Sequence, residues 1–444
     1  MKKSYTDDID STSTTPSRWE KLKTQCKENW FYITLILVAL AGVFCAFILP
    51  PRILKSTDGS DSIDSIRKAI LAVFAGALTM LTLWETHRKN TQEKNKNDRD
   101  HIRQVHSERR SRYTKAIEQL ADEKSTICLG GIYTLVGLVD EWLTDNSLEP
   151  DEQQKEGQII INTLCAYIRS PFHLAEKRDI LEPDIPPNNY NGNFAEDRAK
   201  FLEEANIRKS IFDEINKRIT IKIDENNINN REIVGTWSKF NFNFFAAPIF
   251  YFLPYYTYTN TSFHAAKFYG KTIFSNSHFF GRTDFTDAVF YGSAEFDDTF
   301  FVGETFFPWA KFNGPVSFQS LFNGKAYFEN AEFFKSAKFV SSQFHDAVNF
   351  KDARFSQEPI FAERIHSHSE HPKNCKYVHA SFSHKIDSAK HNFVVSPQSL
   401  FSIRCGNLSF KNNNYKIPKG TAIFNPGSWN KDTMNYGEVS SIAP

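Results

Sequence analysis

The sequence lacks the short motifs that mark familiar catalytic and nucleotide-binding sites. It has no GxxxxGK[ST] phosphate loop, no HExxH metalloprotease motif, no CxxC pair and no nucleophile elbow. Its six cysteines stand far apart, which argues against a disulfide framework and suits a reducing compartment. The formal net charge is only +1, so no excess of one sign indicates nucleic-acid binding. We therefore expect neither catalysis nor a cofactor, and no nucleic-acid partner.

Phenylalanine is what the chain has in excess, with 42 residues. From Phe263 to Phe361 it recurs at alternating steps of five and six residues, with one slip near Phe322, and the residue two places earlier is almost always small. Such steps would scatter the rings around a helix, and the segment is rich in helix-disfavouring Gly, Asn, Asp and Pro. The pattern predicts a β-solenoid, in which each short side of a coil sends one large and one small side chain inward. The residues expected to fill the interior are Phe268, Phe274, Phe279, Phe285, Phe290, Phe296, Phe301, Phe307, Phe312, Phe318, Phe328, Phe333, Phe339, Phe344, Phe350 and Phe355.

Two runs of five residues carry a resemblance to a known family. Ala294-Glu295-Phe296-Asp297-Asp298 and Ala353-Arg354-Phe355-Ser356-Gln357 resemble the units of the pentapeptide-repeat family, which read small-polar-Phe/Leu-polar-polar. The resemblance covers roughly residues 240 to 361. It implies a right-handed quadrilateral β-helix whose interior is filled by the Phe and the small residue. Every second unit of this chain has one extra residue, as in a Phe-rich branch of the family.

Two apolar segments near the N-terminus are long enough to cross a bilayer. Trp30 to Leu49 is twenty residues without a charge, and Ala69 to Trp84 is a shorter second run. A signal peptide followed by a buried helix is the alternative, but the long polar lead-in and the missing small-residue cleavage site argue against it. Lysines and arginines are concentrated before the first run and after the second, which predicts a two-span hairpin with both termini in the cytoplasm. With the family resemblance, this predicts a protein of the bacterial inner membrane.

The chain between the second apolar run and the repeats has the pattern of helices. Residues 85–112 are polar and basic without an apolar stripe, which predicts a solvated stalk whose cations contact anionic lipid headgroups. From residue 113 to about residue 222, apolar residues keep the three-four helical spacing around a loop rich in Pro and Asn. The stretch Arg112 to Phe172 resembles the helical segment that often precedes pentapeptide repeats in two-span bacterial membrane proteins. We expect these helices to cover the open edge of the first coil.

The expected fold class is therefore mixed, with a transmembrane α-helical hairpin, a small helical module and a β-helix of pentapeptide-like repeats. The predicted segments are a disordered cytoplasmic N-terminus (1–29), the transmembrane hairpin (30–84), a basic helical stalk (85–112), the helical module (113–236), the β-helix (237–361) and an irregular C-terminal extension (362–444).

A cluster of histidines and one cysteine follows the last regular repeat. His366, His368, His371 and Cys375 are of the residue types that bind zinc, and together they could supply three or four ligands. Their spacing fits no zinc signature, and nearby lysines would repel a cation. We expect a polar surface insertion here and no metal.

The function that these features predict is a non-catalytic, membrane-anchored scaffold, in which a cytoplasmic β-helix presents its surface to a protein partner. Outward aromatics such as Phe280, Phe300, Phe306, Trp309 and Phe334 are candidates for that surface. Two alternatives stay open: an enzyme with an unrecognised site, and a DNA mimic that occupies a topoisomerase, as some soluble pentapeptide-repeat proteins do. Mimicry needs a strongly acidic rod, whereas lysines and arginines nearly balance the carboxylates here. The expected partners are the lipid bilayer and one protein, and the sequence is compatible with an oligomer.

Overall fold

A computed structural model describes most of the chain. The described residues are 30–53, 60–219, 235–253, 256–366, 375–430 and 435–444. The chain divides into two compact units, Met1–Ser107 and Glu108–Pro444. The first contains two long helices, and the second combines shorter helices with a β-solenoid.

Two helices with long apolar stretches make up the described part of the first unit. Helix α1 spans Trp30–Ile53, and α2 spans Ser60–Leu120 and continues into the second unit. Many of their large apolar side chains, such as Leu40 and Met80, are exposed. The helical stretches of the described chain that are long and apolar enough to cross a membrane are Trp30–Ile48, Ile63–Leu120 and Ser125–Leu143.

Helices α1 and α2 pack against each other in opposite directions within this unit. At Gly42 they approach so closely that a Cβ atom would lie 2.8 Å from the ring of Phe74. Further along α1, the ring of Phe47 lies 5.6 Å from the guanidinium of Arg67. Because a later residue of α1 contacts an earlier residue of α2, the two helices run antiparallel.

Helix α2 runs unbroken through the segment boundaries expected after residues 84 and 112. No proline or glycine occurs between Gly76 and Leu120, so nothing in the sequence ends the helix there. The expected hairpin, stalk and helical module are therefore not separated by breaks in the backbone. Residues 86–101 are all exposed, as their polar sequence leads one to expect.

The helices of the second unit pack around one apolar core. They are α3 (Ser125–Leu143), α4 (Pro150–Arg169), α5 (Arg178–Leu181) and α6 (Phe194–Ile219), with a 3-10 turn at Ala175–Lys177. Eight residues of α3 are buried, although its length and composition would also suit a membrane span. At Gly131 this helix approaches the end of α2 so closely that a Cβ atom would lie 2.8 Å from the Ala116 carbonyl oxygen. Helix α3 is thus an element of the core of this unit.

The solenoid is built from very short parallel strands. They are β1 (Phe242–Asn243), β2 (Pro248–Ile249), β3 (Thr257–Ser262), β4 (Lys267–Phe268), β5 (Thr272–Ile273), β6 (His278–Asp284), β7 (Val289–Phe290), β8 (Ala294–Glu295), β9 (Phe300–Phe301), β10 (Thr305–Phe306), β11 (Lys311–Phe312), β12 (Val316–Ser317), β13 (Leu321–Phe322), β14 (Ala326–Tyr327), β15 (Glu332–Phe333), β16 (Ala337–Lys338), β17 (Gln343–Phe344), β18 (Val348–Asn349) and β19 (Arg354–Phe355). In the regular coils each strand pairs with one that lies 21 or 22 residues further along, as Phe290 pairs with Phe312 and Phe312 with Phe333. The strands complete about five coils.

Four ladders of paired strands run along the solenoid. Ladder 1 contains β1, β3, β6, β10, β14 and β18; ladder 2 contains β2, β4, β7, β11, β15 and β19; ladder 3 contains β5, β8, β12 and β16; ladder 4 contains β3, β6, β9, β13 and β17. Strands β3 and β6 turn a corner and belong to ladders 1 and 4, which therefore form one continuous sheet. The β-solenoid predicted from the Phe spacing is confirmed.

The phenylalanine rings stack in columns inside the coils. The rings of Phe285 and Phe307 are 5.0 Å apart and 2° from parallel, and those of Phe290 and Phe312 are 4.8 Å apart and 6° from parallel. All sixteen expected interior rings are buried. Burying a ring of this size contributes about 1.5–3 kcal/mol relative to leaving it exposed, so the columns are the main source of stability in each coil.

Phe322 is a further interior residue that the predicted set omits. It is buried, and its ring stacks on Phe301 at 4.8 Å and on Phe344 at 5.0 Å. The spacing obscures this because Phe322 follows Phe318 by four residues instead of five. The slip in the repeat therefore leaves the column unbroken.

Two kinds of corner alternate around each coil, and they explain the steps of five and six residues. In the five-residue steps, the carbonyl oxygen of the phenylalanine that follows a ladder 1 or ladder 3 strand accepts a hydrogen bond from the backbone N–H three residues further on. Ala288 N, for example, donates to Phe285 O at 3.0 Å. The residue before the donor has a positive φ, 57° at Asp287, which makes this a type II turn. The residues in this position are Ala246, Ala265, Asn276, Asp287, Asp298, Trp309, Asn330, Ser341 and Asp352. The six-residue steps are the wider corners between these turns.

One type II turn is missing among the corners that follow ladder 3. Asp298 and Ser341 hold the positive-φ position in two of these corners, and the corner in the coil between them has no such turn. In the intervening coil, Ser320 N donates to Phe318 O at 2.6 Å across a turn of only three residues. The residue that would have the positive φ is absent. This deletion causes the slip in the repeat, and it shortens one corner of one coil.

Helices cover the N-terminal end of the solenoid. The ring of Phe250 stacks on Phe172 at 5.0 Å, and Thr257 N donates to the Asn216 side chain at 2.9 Å. Trp237, which leads into the first coil, is fully buried and donates to Asp140 at 2.8 Å. Because unpaired strand edges invite aggregation, these contacts protect the first coil.

Residues 362–444, expected to be irregular, contain further strands. These are β20 (Ala362–His366), β21 (Cys375–His379), β22 (Ser381–Ser383), β23 (Cys405–Phe410), β24 (Asn413–Pro418), β25 (Ala422–Phe424), β26 (Trp429–Asn430) and β27 (Asn435–Tyr436), with 3-10 turns at Ser388–Lys390 and Pro426–Ser428. Strands β22 and β25 extend ladder 4, and Phe382 stacks on Phe344 at 5.1 Å. The carbonyl of Asn392 accepts from Phe350 N at 2.7 Å and so extends ladder 1. Parallel pairing thus continues beyond the expected boundary at residue 361, hidden in the sequence by the β20–β21 insertion.

Candidate functional site

The outward side chains around ladders 2 and 3 are largely charged and pair with one another across neighbouring coils. The Lys311 ammonium lies 3.9 Å from the Glu332 carboxylate, and Arg354 lies 3.0 Å from the same carboxylate on the other side. Lys271 and Glu295 are 2.8 Å apart. Since cations and anions alternate, the described surface of the solenoid presents no continuous acidic stripe.

The outward rows of ladders 1 and 4 are more apolar. In ladder 4, His278, Phe300 and Leu321 follow one another in register, and the His278 ring meets the Phe300 ring edge to face at 4.8 Å. In ladder 1, Phe306 stacks on Tyr327 at 4.7 Å. Phe300 is nevertheless 41% exposed, so this side of the solenoid offers apolar area to a contact.

The five aromatics expected to face outward divide into two groups. Phe300, Trp309 and Phe334 are exposed, whereas Phe280 and Phe306 are half-buried. Trp309 occupies the positive-φ position of its turn, at φ 55°, which turns it away from the interior. Only Phe300 of these residues borders a cavity described below.

A cavity of about 350 Å³ opens at the corner where the type II turn is missing. Gln319 and Ser320 of the shortened corner line it, between the positive-φ residues Asp298 and Ser341 of the flanking coils. The described residues that line it are Asp298, Thr299, Phe300, Gln319, Ser320, Leu321, Ser341, Gln343, Trp429 and Tyr436. The recess beside ladder 4 therefore lies at the one corner that has one residue fewer than the corners of the flanking coils.

Two aromatic walls of the cavity come from the C-terminal hairpin of β26 and β27. The rings of Trp429 and Tyr436 are 4.9 Å apart at 64°. The Tyr436 hydroxyl and His345 Nε2 share a hydrogen bond of 3.0 Å, and the Tyr436 ring packs 4.4 Å from Phe424. Burial raises the pKa of the Tyr436 hydroxyl to about 12. Burial also lowers the pKa of the His345 imidazole to about 4, and the positive charge of Lys385 adds to this effect. Both groups are thus neutral near pH 7, and the tyrosine is held in place.

Two hydrogen-bond acceptors among the residues that line the cavity lack a partner in the described part of the chain. Asp298 has no ion-pair partner among the described residues. The Oε1 atom of Gln343 is buried, and no described group donates a hydrogen bond to it. The hydroxyls of Ser320 and Thr299 are already used, because they donate to backbone carbonyls of the preceding coil at 2.6 and 2.8 Å. A ligand that donates hydrogen bonds could pair with the Asp298 carboxylate and with Gln343 Oε1.

Two of the four candidate metal ligands, His366 and Cys375, lie elsewhere, in the paired strands β20 and β21. His366 and Cys375 are opposite each other in register, and His368 and His371 lie outside the described residues. Within the described part of the chain, no group of three or more His, Cys, Asp or Glu side chains could hold a metal ion. The absence of a metal site stays a prediction.

Residue patterns did not point to Gln343, Trp429 or Tyr436, which are scattered over almost a hundred positions. These three residues and the others that line the cavity are brought together only by the coiling of the chain and by the hairpin that follows the coils. The one available signal was the slip between Phe318 and Phe322, because a break in an otherwise regular repeat marks a place where the surface differs.

Comparison with protein-family models, curated proteins and solved structures gave no match to this chain. The likeness to pentapeptide repeats therefore depends on the spacing of the residues and on the stacked ladders described above.

Proposed function

We propose that this protein is a non-catalytic, membrane-anchored scaffold of the pentapeptide-repeat type. Its two apolar helices span a bacterial inner membrane, and both termini lie in the cytoplasm. A right-handed quadrilateral β-helix presents its outer surface to a protein partner. The observation that carries the proposal is a solenoid whose N-terminal end is covered by helices and whose ladder 4 side exposes apolar residues such as Phe300.

The anchor is supported by the exposed apolar surface of helices α1 and α2. Leu37, Phe44, Val73 and Met80 are all more exposed than buried, which would be costly in water and is favourable in lipid. Carbonate washing of membranes should leave the full chain in the pellet. A reporter fused after Pro444 should be active only in the cytoplasm, and activity only outside the cell would overturn the orientation.

The scaffold is supported by the rigidity of the coils and by the difference between their sides. Stacked rings fix the backbone, so a partner that docks loses little conformational entropy in the solenoid. Because helices cover the N-terminal end, the sides of the coils are the surface available to a partner, and exposed Phe300 in the apolar row of ladder 4 is the best candidate for contact.

Site-specific photocrosslinking tests this surface in the intact chain. A photoreactive phenylalanine analogue replaces Phe300 in ladder 4 or, as a control, Lys311 in ladder 2. We expect one discrete protein adduct from position 300 in intact cells and a much weaker one from position 311. Equal labelling from both positions, or adducts from neither, would count against the proposed surface. Deletion of residues 240–361 is a poorer test, since it would uncover helical core residues that pack on Phe250.

A DNA mimic is not favoured by the surface. The charged rows of ladders 2 and 3 alternate in sign and pair between coils, whereas mimicry needs a continuous acidic face.

A further inference from the structure

We infer that the cavity at the shortened corner binds the guanidinium group of an arginine side chain on the partner protein. The inference rests on the proposed scaffold function and gives that surface a specific chemistry. An extended partner segment would run along ladder 4 and insert one arginine between Phe300 and the hairpin that carries Trp429.

The cavity combines aromatic faces with unused acceptors, which is the combination that recognises a cation. Phe300, Trp429 and Tyr436 line it, and tryptophan is the best side chain for a cation–π contact. Asp298 provides a negative charge, and the buried Oε1 of Gln343 provides a second acceptor. No lysine or arginine is among the described residues that line the cavity, so nothing there repels or replaces an incoming cation.

A guanidinium fits these groups better than an ammonium or a neutral side chain does. It is planar, so it can lie against an aromatic ring while its edge donates to a carboxylate through two parallel N–H groups. A lysine ammonium is a compact, strongly hydrated charge that makes fewer oriented contacts. The cavity volume of about 350 Å³ is at the small end for ligand sites, which suits one inserted side chain.

The cavity walls are fixed before any ligand binds. Tyr436 is held by His345 and Phe424, and Phe300 is held by the edge of His278. The recess lies at the short corner of Gln319, which has one residue fewer than the corners of the flanking coils. A preformed site of this kind binds with little ordering cost.

The test uses the full chain in detergent, labelled with 5-fluorotryptophan, and follows the ¹⁹F signals of Trp429 and Trp309. Trp309 is an internal control, since it is exposed on a different corner. The probe is the neutral-ended peptide acetyl-Gly-Gly-Arg-Gly-Gly-amide, compared with versions that carry citrulline or lysine in place of arginine. We expect the arginine peptide to shift the Trp429 signal saturably, with an affinity at least about tenfold above the citrulline peptide, and to leave Trp309 unchanged.

Two variants probe the acceptor and the missing turn. Asp298→Asn keeps a residue that tolerates positive φ and should weaken binding about tenfold, whereas Asp287→Asn, at the same position of another turn, should change nothing. A glycine inserted between Gln319 and Ser320 restores the missing turn and should abolish binding. Near-UV circular dichroism of each variant establishes that the stacked core is intact.

Each outcome has a definite meaning. No shift of Trp429 up to 10 mM peptide, or equal affinity for arginine and citrulline, would overturn the inference. Equal affinity for arginine and lysine would overturn the assignment to a guanidinium, and unchanged binding after the glycine insertion would overturn the role of the missing turn. The proposed scaffold is judged separately by the photocrosslinks from position 300, which can form whether or not the cavity takes an arginine.

Discussion

Within a single ladder, the inner and outer rows of the solenoid differ in how much they vary. The inner row of ladder 4 is Phe279, Phe301, Phe322 and Phe344. The outer row beside it is His278, Phe300, Leu321 and Gln343. The inner residues must all fill the same space and stack on one another, whereas the outer ones meet solvent and are free to differ. The repeat therefore specifies the fold, and function is to be sought in the outer rows and in breaks of the repeat.

The largest expected effect comes from putting a charge into the inner row. Phe312→Asp removes a stacked ring and buries an unpaired carboxylate, so we expect a loss of about 5 kcal/mol or more and unfolding of the neighbouring coils. Phe334→Asp, at the exposed position that directly follows Phe333 of ladder 2, should change stability by less than about 1 kcal/mol, since Phe334 is 44% exposed. Thermal melts of the full chain in detergent compare the two. Similar melting of both variants would mean that the rows are assigned to the wrong sides.

A second comparison sets the regular coils against the C-terminal end, where a side chain replaces part of the ladder. Val348 N donates to His391 Nδ1 at 3.2 Å instead of to a backbone carbonyl. Burial lowers the pKa of His391 to about 4, with partial opposition from Asp346 and Asp387. The neutral imidazole is therefore the form that the fold stabilises.

Stability should accordingly be full above pH 6.5 and fall as the pH drops toward 4, because the unfolded chain binds the proton first. The difference in the pKa of His391 corresponds to about 3 kcal/mol. His391→Asn keeps an acceptor near Val348 N but cannot titrate, so it should reduce this pH dependence. His345, whose pKa is also about 4, will leave a remainder. Denaturation curves between pH 4 and 7 measure the slope, and identical slopes for wild type and variant would contradict the role of His391.

The two kinds of corner offer a smaller test of how the repeat is built. Asn330 has φ 58° in a type II turn, a conformation that β-branched residues rarely adopt. Asn330→Val should cost about 1–2 kcal/mol, whereas Asn330→Gly should cost little because glycine takes positive φ freely. Denaturant titration of the three chains measures both effects. Equal stability of the valine and glycine variants would show that the turn relaxes to another conformation.

The parts of this fold that the sequence could predict are those with a period. The β-solenoid followed from the Phe steps, because interior residues repeat with the geometry of the coil. Phe322 was omitted because a deletion interrupts the count of residues there, although the column of rings continues through it. The boundary was placed at residue 361 because an insertion interrupts the count there, although ladder 4 continues to Phe382. The predicted boundaries after residues 84 and 112 are changes of composition within helix α2, and a change from apolar to polar residues does not end a helix.

The cavity could not have been predicted in this way. Its groups come from three successive coils and from a hairpin about a hundred residues further on, and none of them belongs to a local motif. Trp429 and Tyr436 become neighbours of Phe300 only because the C-terminal chain folds back over ladder 4. Tertiary contacts of this kind leave no period in the sequence.

The smallest expected effect concerns the small inner residues, which differ between the two sets of type II corners. After ladder 1 they are alanines, such as Ala331, whereas after ladder 3 they carry hydroxyls, such as Thr299, whose Oγ1 donates to a backbone carbonyl of the preceding coil at 2.8 Å. Thr299→Val keeps the shape and removes the donor, so it should cost about 1 kcal/mol. Ala331→Ser makes the opposite change where the natural chain uses no hydroxyl, and it should bring no gain. If Ala331→Ser stabilised the chain as much as Thr299→Val destabilised it, in matched denaturant titrations, the two sets of corners would be equivalent and their different composition would have no energetic cause.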